Sequence, residues 1–291
     1  MRGRSGQRLG PIGGSRQTGG RWLLAKVMAL AILASGFLVQ CRCHGRKAGQ
    51  GSEQPVSKTS EEGERRGSGG GVRGGFEGAG KERSGYAKRR AAMVTHQLQA
   101  RGVKDLKVLA AMKEVRRHLF VPAVFRDSAY ADRPLPIGKK QTISQPYIVA
   151  YMTEALGVDG DDRVLEVGTG SGYQAAVLAK IVREVYTIEI VESLAKRAKR
   201  ILKNAGYDNI HFKVGDGYQG WKDKAPFDAI MVTAAPDHVP APLKKQLAVG
   251  GRLVMPVGNV LLRITKTKDG YKRERLLGVR FVPMTGEAQR R

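Results

Sequence analysis

The sequence predicts an α/β domain: a doubly wound, mostly parallel sheet with helices before it and an antiparallel strand pair at its C-terminal edge. Three observations carry this. Between residues 163 and 256, short apolar runs alternate with amphipathic stretches, the pattern of repeated strand–helix units. The first run, Val164 to Val167, passes into three glycines at alternate positions, Gly168, Gly170 and Gly172, and then into AAVLAKIV, which reads as a helix. The last stretches, LLRITKTKDG and RERLLGVRFVPM, alternate in polarity and read as edge strands.

Before the domain lies an extension, residues 1–85. Residues 1–20 and 42–85 are rich in Gly, Arg and Ser, poor in apolar residues, and predict disorder. Between them, 22–40 holds an apolar run preceded by Arg16, Arg21 and Lys26. The run is short for a membrane span and suits a signal-peptide core. Three readings stay open: a cleaved export signal, an uncleaved anchor, or a non-functional extension. The folded domain is expected over 86–291, long enough to bury one core.

Within it, Arg89 to Arg101 puts Met93, Val94 and Leu98 on one helical face. Lys104 to Val115 predicts a second helix with Leu106, Val108, Leu109 and Met112 facing inward. In 128–150, Pro134 and Pro136 should break regular structure. Pro146 suits the first turn of a helix running to Leu156, with Ser144 as its N-cap. Strands are expected at 163–167, 184–190, 210–214, 227–235 and 252–256. Helices at 193–206 and 240–247 lie between them.

Composition excludes several chemistries. Cys41 and Cys43 are the two cysteines, so neither a disulfide framework nor a four-cysteine metal site can form. The five histidines are scattered without ligand spacing, and no metal is expected. The net charge is +25, which would suit a polyanion. The basic residues are spread along the chain with few aromatics among them, and solvated surface is the better reading.

The glycine spacing separates two nucleotide classes. A dinucleotide fingerprint needs its third glycine at 173, which is Tyr173. Glu166, just before the loop, would repel a pyrophosphate and could meet a cationic ligand. An acid preceding G-x-G-x-G resembles motif I of the S-adenosylmethionine methyltransferases; a ligand-free glycine turn is the alternative. Glu189 ends the second strand, about 20 residues on, where a carboxylate can accept from both ribose hydroxyls. Asp216 ends the third strand, as an adenine contact or as an ordinary Asp-Gly turn. After the fourth strand come Thr233, Ala234, Ala235 and Pro236, which lack an amine-polarising side chain, so base N-methylation fits poorly.

The stretch QTISQPY, 141–147, together with RRHLFVP, AYADRPLPIG, LEVGTGSGYQAAVLA, VGDGYQGW, FDAIMVTAA, GGRLVMPVG and VRFVPM, resembles the bacterial protein-L-isoaspartate O-methyltransferases from about Met93 to Gly286. The resemblance implies a Rossmann-like S-adenosylmethionine methyltransferase fold. It implies methyl transfer from S-adenosyl-L-methionine to the free α-carboxylate of L-isoaspartyl residues in damaged proteins, initiating their repair. Its active-site serine falls on Ser144. Thr142 and Ile143 shape the loop beside the cofactor. Gly168, Thr169, Gly170 and Ser171 form the cofactor turn, Glu189 with Ile190 beside it holds the ribose, and Asp216 and Gly217 border the adenine. Val279, Arg280, Phe281 and Val282 line the peptide groove as an extended segment. The expected enzyme is a cytoplasmic monomer that binds no nucleic acid and touches a membrane only if 22–40 is an anchor. The alternatives are an RNA methyltransferase and a non-enzymatic exported protein that keeps the fold.

Overall fold

A computed structural model describes residues 84–289. The expected disordered segments up to residue 83 and the apolar run at 22–40 lie outside the described residues, whereas Ser84 and Gly85, expected in the disordered stretch, open a helix.

Helix α1, Ser84–Ala92, starts earlier than expected and continues through a wider-wound turn, Met93–Leu98, and a tight one, Gln99–Arg101. Met93, Val94 and Leu98 are buried as the pattern required. Helix α2, Leu106–Glu114, is capped by Asp105, whose carboxylate accepts from Lys107 N–H at 2.8 Å and Val108 N–H at 3.2 Å. Val108, Leu109 and Met112 face the core. Leu106, expected inside, is 78% exposed, because the buried stripe begins only after this first helical residue.

The prolines at 134 and 136 do not prevent regular structure. Strands β1, Leu135–Gly138, and β2, Gln141–Ile143, pair antiparallel as a small hairpin. Pro136 occupies an exposed position of a two-stranded ribbon, where no central strand needs its missing N–H. Lys139 and Lys140 form the tip with φ of 53° and 58°, the twisted two-residue turn that such ribbons favour. Helix α3, Pro146–Leu156, starts on the proline, but its N-cap is Gln145 rather than Ser144. Capping comes from far away: Tyr147 N–H donates to Asp132 Oδ1 at 3.1 Å.

The main sheet contains β3, Arg163–Val167; β4, Glu184–Glu189; β5, Ile210–Val214; β6, Phe227–Val232; β7, Leu247–Val257; β8, Val260–Thr267; and β9, Gly270–Gly278. Helices α4, Tyr173–Ala179, α5, Glu192–Asn204, and α6, Ala241–Lys245, connect the parallel part. The order is β5-β4-β3-β6-β7-β8-β9, parallel through β7 and antiparallel for β7–β8 and β8–β9. Side chains alternate across the sheet and make two cores. Val164, Val185 and Met231 pack with α3, α4 and α5; Leu165, Ile188 and Ile230 pack with Leu243 of α6 and Tyr218. Apolar patterning predicts a fourth strand running to 235 and a last one running to 284. β6 stops at Val232 and β9 at Gly278. The chain after β9 instead returns to the end of β6. There Ala235 N–H donates to Val282 C=O at 2.8 Å and Met284 N–H to Ala235 C=O at 2.9 Å.

Strand order reverses at β3, between β4 and β6. Such a point opens a crevice past the carboxyl ends of the strands.

Candidate active site

The crevice begins with the backbone after β3. Gly168, Gly170 and Gly172 all have positive φ, at 101°, 52° and 86°. Gly168 leaves no room for a side chain: a Cβ would collide with Thr233 Oγ1, which donates to Gly168 C=O at 2.7 Å. Glu189, at the end of β4, is buried and accepts from Gly170 N–H at 2.7 Å and Val191 N–H at 2.8 Å. The carboxylate thus fixes the glycine turn on one side and the entrance to α5 on the other.

Gly168, Thr169, Gly170, Ser171, Glu189, Ile190 and Gly217 line one cleft, and Thr142, Ile143 and Ser144 of the hairpin loop form its opposite wall. The cleft encloses about 800 Å³, part of it open to solvent, a size suited to a nucleoside-containing ligand. Asp216 is not among the residues lining it. Its carboxylate accepts from Tyr218 N–H at 2.9 Å and from Glu287 N–H at 2.7 Å, which closes the turn that presents Gly217.

Glu166 also misses the cleft. It is fully buried behind the loop, and Thr187 Oγ1 donates to its Oε2 at 2.6 Å. With Thr187 donating there, Thr169 donates to Thr187 over 2.6 Å, so a hydroxyl chain links this acid to the glycine turn. Burial pushes the Glu166 carboxyl up to about 8; the Thr187 hydrogen bond opposes the shift and the charge of Glu189 adds to it. The sequence-based expectation of a direct contact between Glu166 and a cationic ligand is therefore not met.

A second groove lies on the far side of Ser144. Val279, Arg280, Phe281 and Val282 form one edge, and Thr142, Ser144 and Gln145 another. Val279 N–H donates to Asn259 C=O at 2.9 Å, and Val282 C=O takes its bond from Ala235. Among the described residues, no hydrogen bond engages the backbone of Arg280 or Phe281 between these pins. Ser144 lines both spaces and stands at their junction.

The family model described as protein-L-isoaspartate(D-aspartate) O-methyltransferase matches residues 88–289. The chain belongs to this family. The domain is 57% identical over 208 residues to protein-L-isoaspartate O-methyltransferase 2 of Shewanella sediminis, covering 70% of this chain and 85% of that one. It is 56% identical over 200 residues to the Gloeobacter violaceus protein-L-isoaspartate O-methyltransferase, covering 67% and 98%. Among solved structures, a Plasmodium falciparum protein-L-isoaspartate O-methyltransferase in complex with S-adenosyl-L-homocysteine superposes with a TM-score of 0.60. It is 28% identical, over 67% of this chain and 98% of that one.

The methyltransferase's cleft fits S-adenosyl-L-methionine. Among the described residues Glu189 is the one charged residue lining it and no lysine or arginine borders it, in a chain of net charge +25. That polarity suits a sulfonium and an ammonium and disfavours a polyphosphate. The glycine turn supplies bare backbone for close approach.

Three supporting residues escaped the sequence reading. Thr233 was noted only for lacking an amine-polarising group, yet its hydroxyl holds the first glycine. Asp132 accepts from Gln145 Nε2 at 2.7 Å and pairs with Arg101, whose guanidinium lies 3.6 Å from the Tyr147 ring centre. Arg117, within the quoted block RRHLFVP, donates from Nη2 to Ser144 C=O at 2.7 Å. Their residue types gave no signal, because their partners are backbone atoms or residues far along the chain.

Proposed function

We propose that the domain methylates the free α-carboxylate of L-isoaspartyl residues in damaged proteins and peptides, with Ser144 placing that carboxylate at the cofactor. The observation that carries this is the pairing of two adjoining spaces that share Ser144, together with Thr142 and Thr233. Among the described residues, the cleft carries only the charge of the Glu189 carboxylate, whereas the groove carries only that of Arg280. A cationic methyl donor suits the first and an anionic peptide acceptor the second.

S-adenosyl-L-methionine supplies an activated methyl group on a positively charged sulfur. Glu189, already oriented by two backbone donors, offers its remaining lone pairs to the ribose hydroxyls. Gly168, Thr169, Gly170 and Ser171 receive the amino-acid end. Ile190 and Gly217 flank the adenine, and Asp216 acts on it only through the turn it closes. The Ser144 hydroxyl donates to the acceptor carboxylate and sets its angle. Thr142 and Ile143 hold the loop between the two ligands. The segment Val279 to Val282 offers free backbone groups to an extended peptide, a mode that tolerates many flanking sequences. A carboxylate is ionised at neutral pH, so no general base is required. Orientation supplies most of the acceleration.

We read the enzyme as a cytoplasmic monomer. Among the described residues no helix is long and apolar enough to cross a membrane.

The test uses labelled S-adenosyl-L-methionine and paired peptides that differ only in aspartyl or isoaspartyl linkage. Label is expected on the isoaspartyl member alone. Equal label on both, or on neither, overturns the reading.

A further inference from the structure

Arg117 is fully buried, and among the described residues no carboxylate forms an ion pair with it. Its Nε donates to Ala129 C=O at 2.7 Å and its Nη2 to Ser144 C=O at 2.7 Å. The guanidinium carbon lies 4.8 Å from the centre of the Tyr173 ring. The remaining nitrogen, Nη1, is buried with no hydrogen-bond partner. Burying a cation without a counter-charge is costly, and a purely packing role would be filled better by an apolar side chain. The residue also bridges the two halves of the site. Ser144 belongs to both spaces, and Tyr173 opens α4 and lines the cofactor cleft.

We propose that Arg117 is a positioning residue for the acceptor: its unpaired charge draws the substrate carboxylate toward Ser144, and its hold on the Ser144 carbonyl fixes the direction of that hydroxyl. The proposal rests on the carboxyl-methylation reading above. Charge acts strongly from this position because the guanidinium is fully buried and directly bonded to the loop it holds. Arg280, the other cation near the acceptor, is exposed and screened. Burial works against the charge, lowering the Arg117 pKa to about 10, while Tyr173, Tyr130 and Asp132 pull it back up. The guanidinium therefore stays charged at neutral pH.

Two variants of the full chain test this, Arg117→Met and Arg117→Lys. For each, kcat and KM are measured with the isoaspartyl peptide, S-adenosyl-L-homocysteine affinity by calorimetry, and folding by thermal melting. Arg117→Met is expected to lower kcat/KM for the peptide on the order of 100-fold, the scale of a small misplacement of reacting groups. Its S-adenosyl-L-homocysteine affinity is expected to stay at the wild-type level. Arg117→Lys keeps the charge but not the fork, and is expected to recover part of the peptide KM but little of kcat. Any of four results overturns the proposal: full activity in Arg117→Met, equal impairment of both variants, cofactor affinity lost in step with turnover, or loss of cooperative melting in both. A wild-type enzyme that leaves the isoaspartyl peptide unlabelled would instead defeat the functional reading, and the proposal with it.

Discussion

The cleft after β3 and the groove along Val279–Val282 meet at Ser144, but they are held in different ways. The cleft is framed by backbone: the glycine turn after β3, the end of β4 and the turn after β5, tied by N–H groups to the buried Glu189 and by carbonyls to Thr233. The groove is assembled from segments that are distant in sequence. Arg117 and Asp132 reach the 144–147 loop, and Arg197 of α5 holds the hairpin by donating to Ile137 C=O at 3.2 Å. One side is set by dihedral angles and close backbone approach, the other by long side chains gripping a loop. The first should lose ligand affinity with a single added carbon, and the second should lose substrate placement when a grip is removed while the cleft stays intact.

The sharpest way to break that contrast is Gly168→Ala. Its φ of 101° is strained for alanine, and the new Cβ would meet Thr233 Oγ1. Strain of this kind costs about 1–3 kcal/mol, before any movement of the loop. The expected result is a loss of S-adenosyl-L-homocysteine affinity on the order of 100-fold, about 2.7 kcal/mol by calorimetry, with a lowered melting temperature. An alanine variant with native affinity would show that the turn yields freely, and the contrast would collapse.

A crossed pair of substitutions sharpens it further. Ser144→Ala removes one hydrogen bond to a charged group, worth about 1.5–3 kcal/mol. It should lower kcat/KM for the isoaspartyl peptide about 10- to 100-fold while leaving cofactor affinity in place. Glu189→Gln keeps the shape but turns a donor toward one of two backbone N–H groups. It should weaken cofactor binding by about 10-fold, through loss of one charge-assisted bond, with the peptide KM unchanged. Calorimetry and steady-state kinetics on both variants separate the effects. If each substitution moved both parameters equally, the two spaces would act as one site.

The same difference explains what the sequence revealed. A glycine turn leaves its mark as residue type, since only glycine readily takes the dihedrals of 168, 170 and 172; the strand before it and the carboxylate at 189 follow by spacing. β3 and β5 have the bounds that apolar patterning predicted, because both are short runs closed by clear turns. The hairpin at 135–143 was hidden by prolines that an isolated ribbon accepts. The capping bond expected of Ser144 is supplied by Asp132, whose role depends on the fold bringing residue 132 to residue 147. Arg117 left the least trace. Its partners are the carbonyls of Ala129 and Ser144, and any residue could supply a carbonyl. The proposed role of Ser144 came from the resemblance to a family, since nothing in its local pattern separates it from a helix cap.

Behind the cleft, Glu166 gives the comparison its mildest test. It supports the glycine turn through Thr187 and Thr169 without lining the cleft, so Glu166→Gln should change turnover at neutral pH little. The effect belongs in stability against pH. In the unfolded chain this carboxyl titrates near 4.5; in the folded state it keeps its proton up to about 8. Between those values the folded state binds more protons than the unfolded one. Its contribution to stability therefore falls as pH rises, by at most about 1.4 kcal/mol per unit, and levels off above the folded value. Glutamine is neutral throughout and escapes this loss. Chemical unfolding of both proteins from pH 5 to 9 should show the variant gaining on the wild type up to about pH 8 and running parallel beyond it. Parallel curves over the whole range would mean that Glu166 ionises freely when folded, and that the backbone frame of the cleft is not closed to water on its inner side.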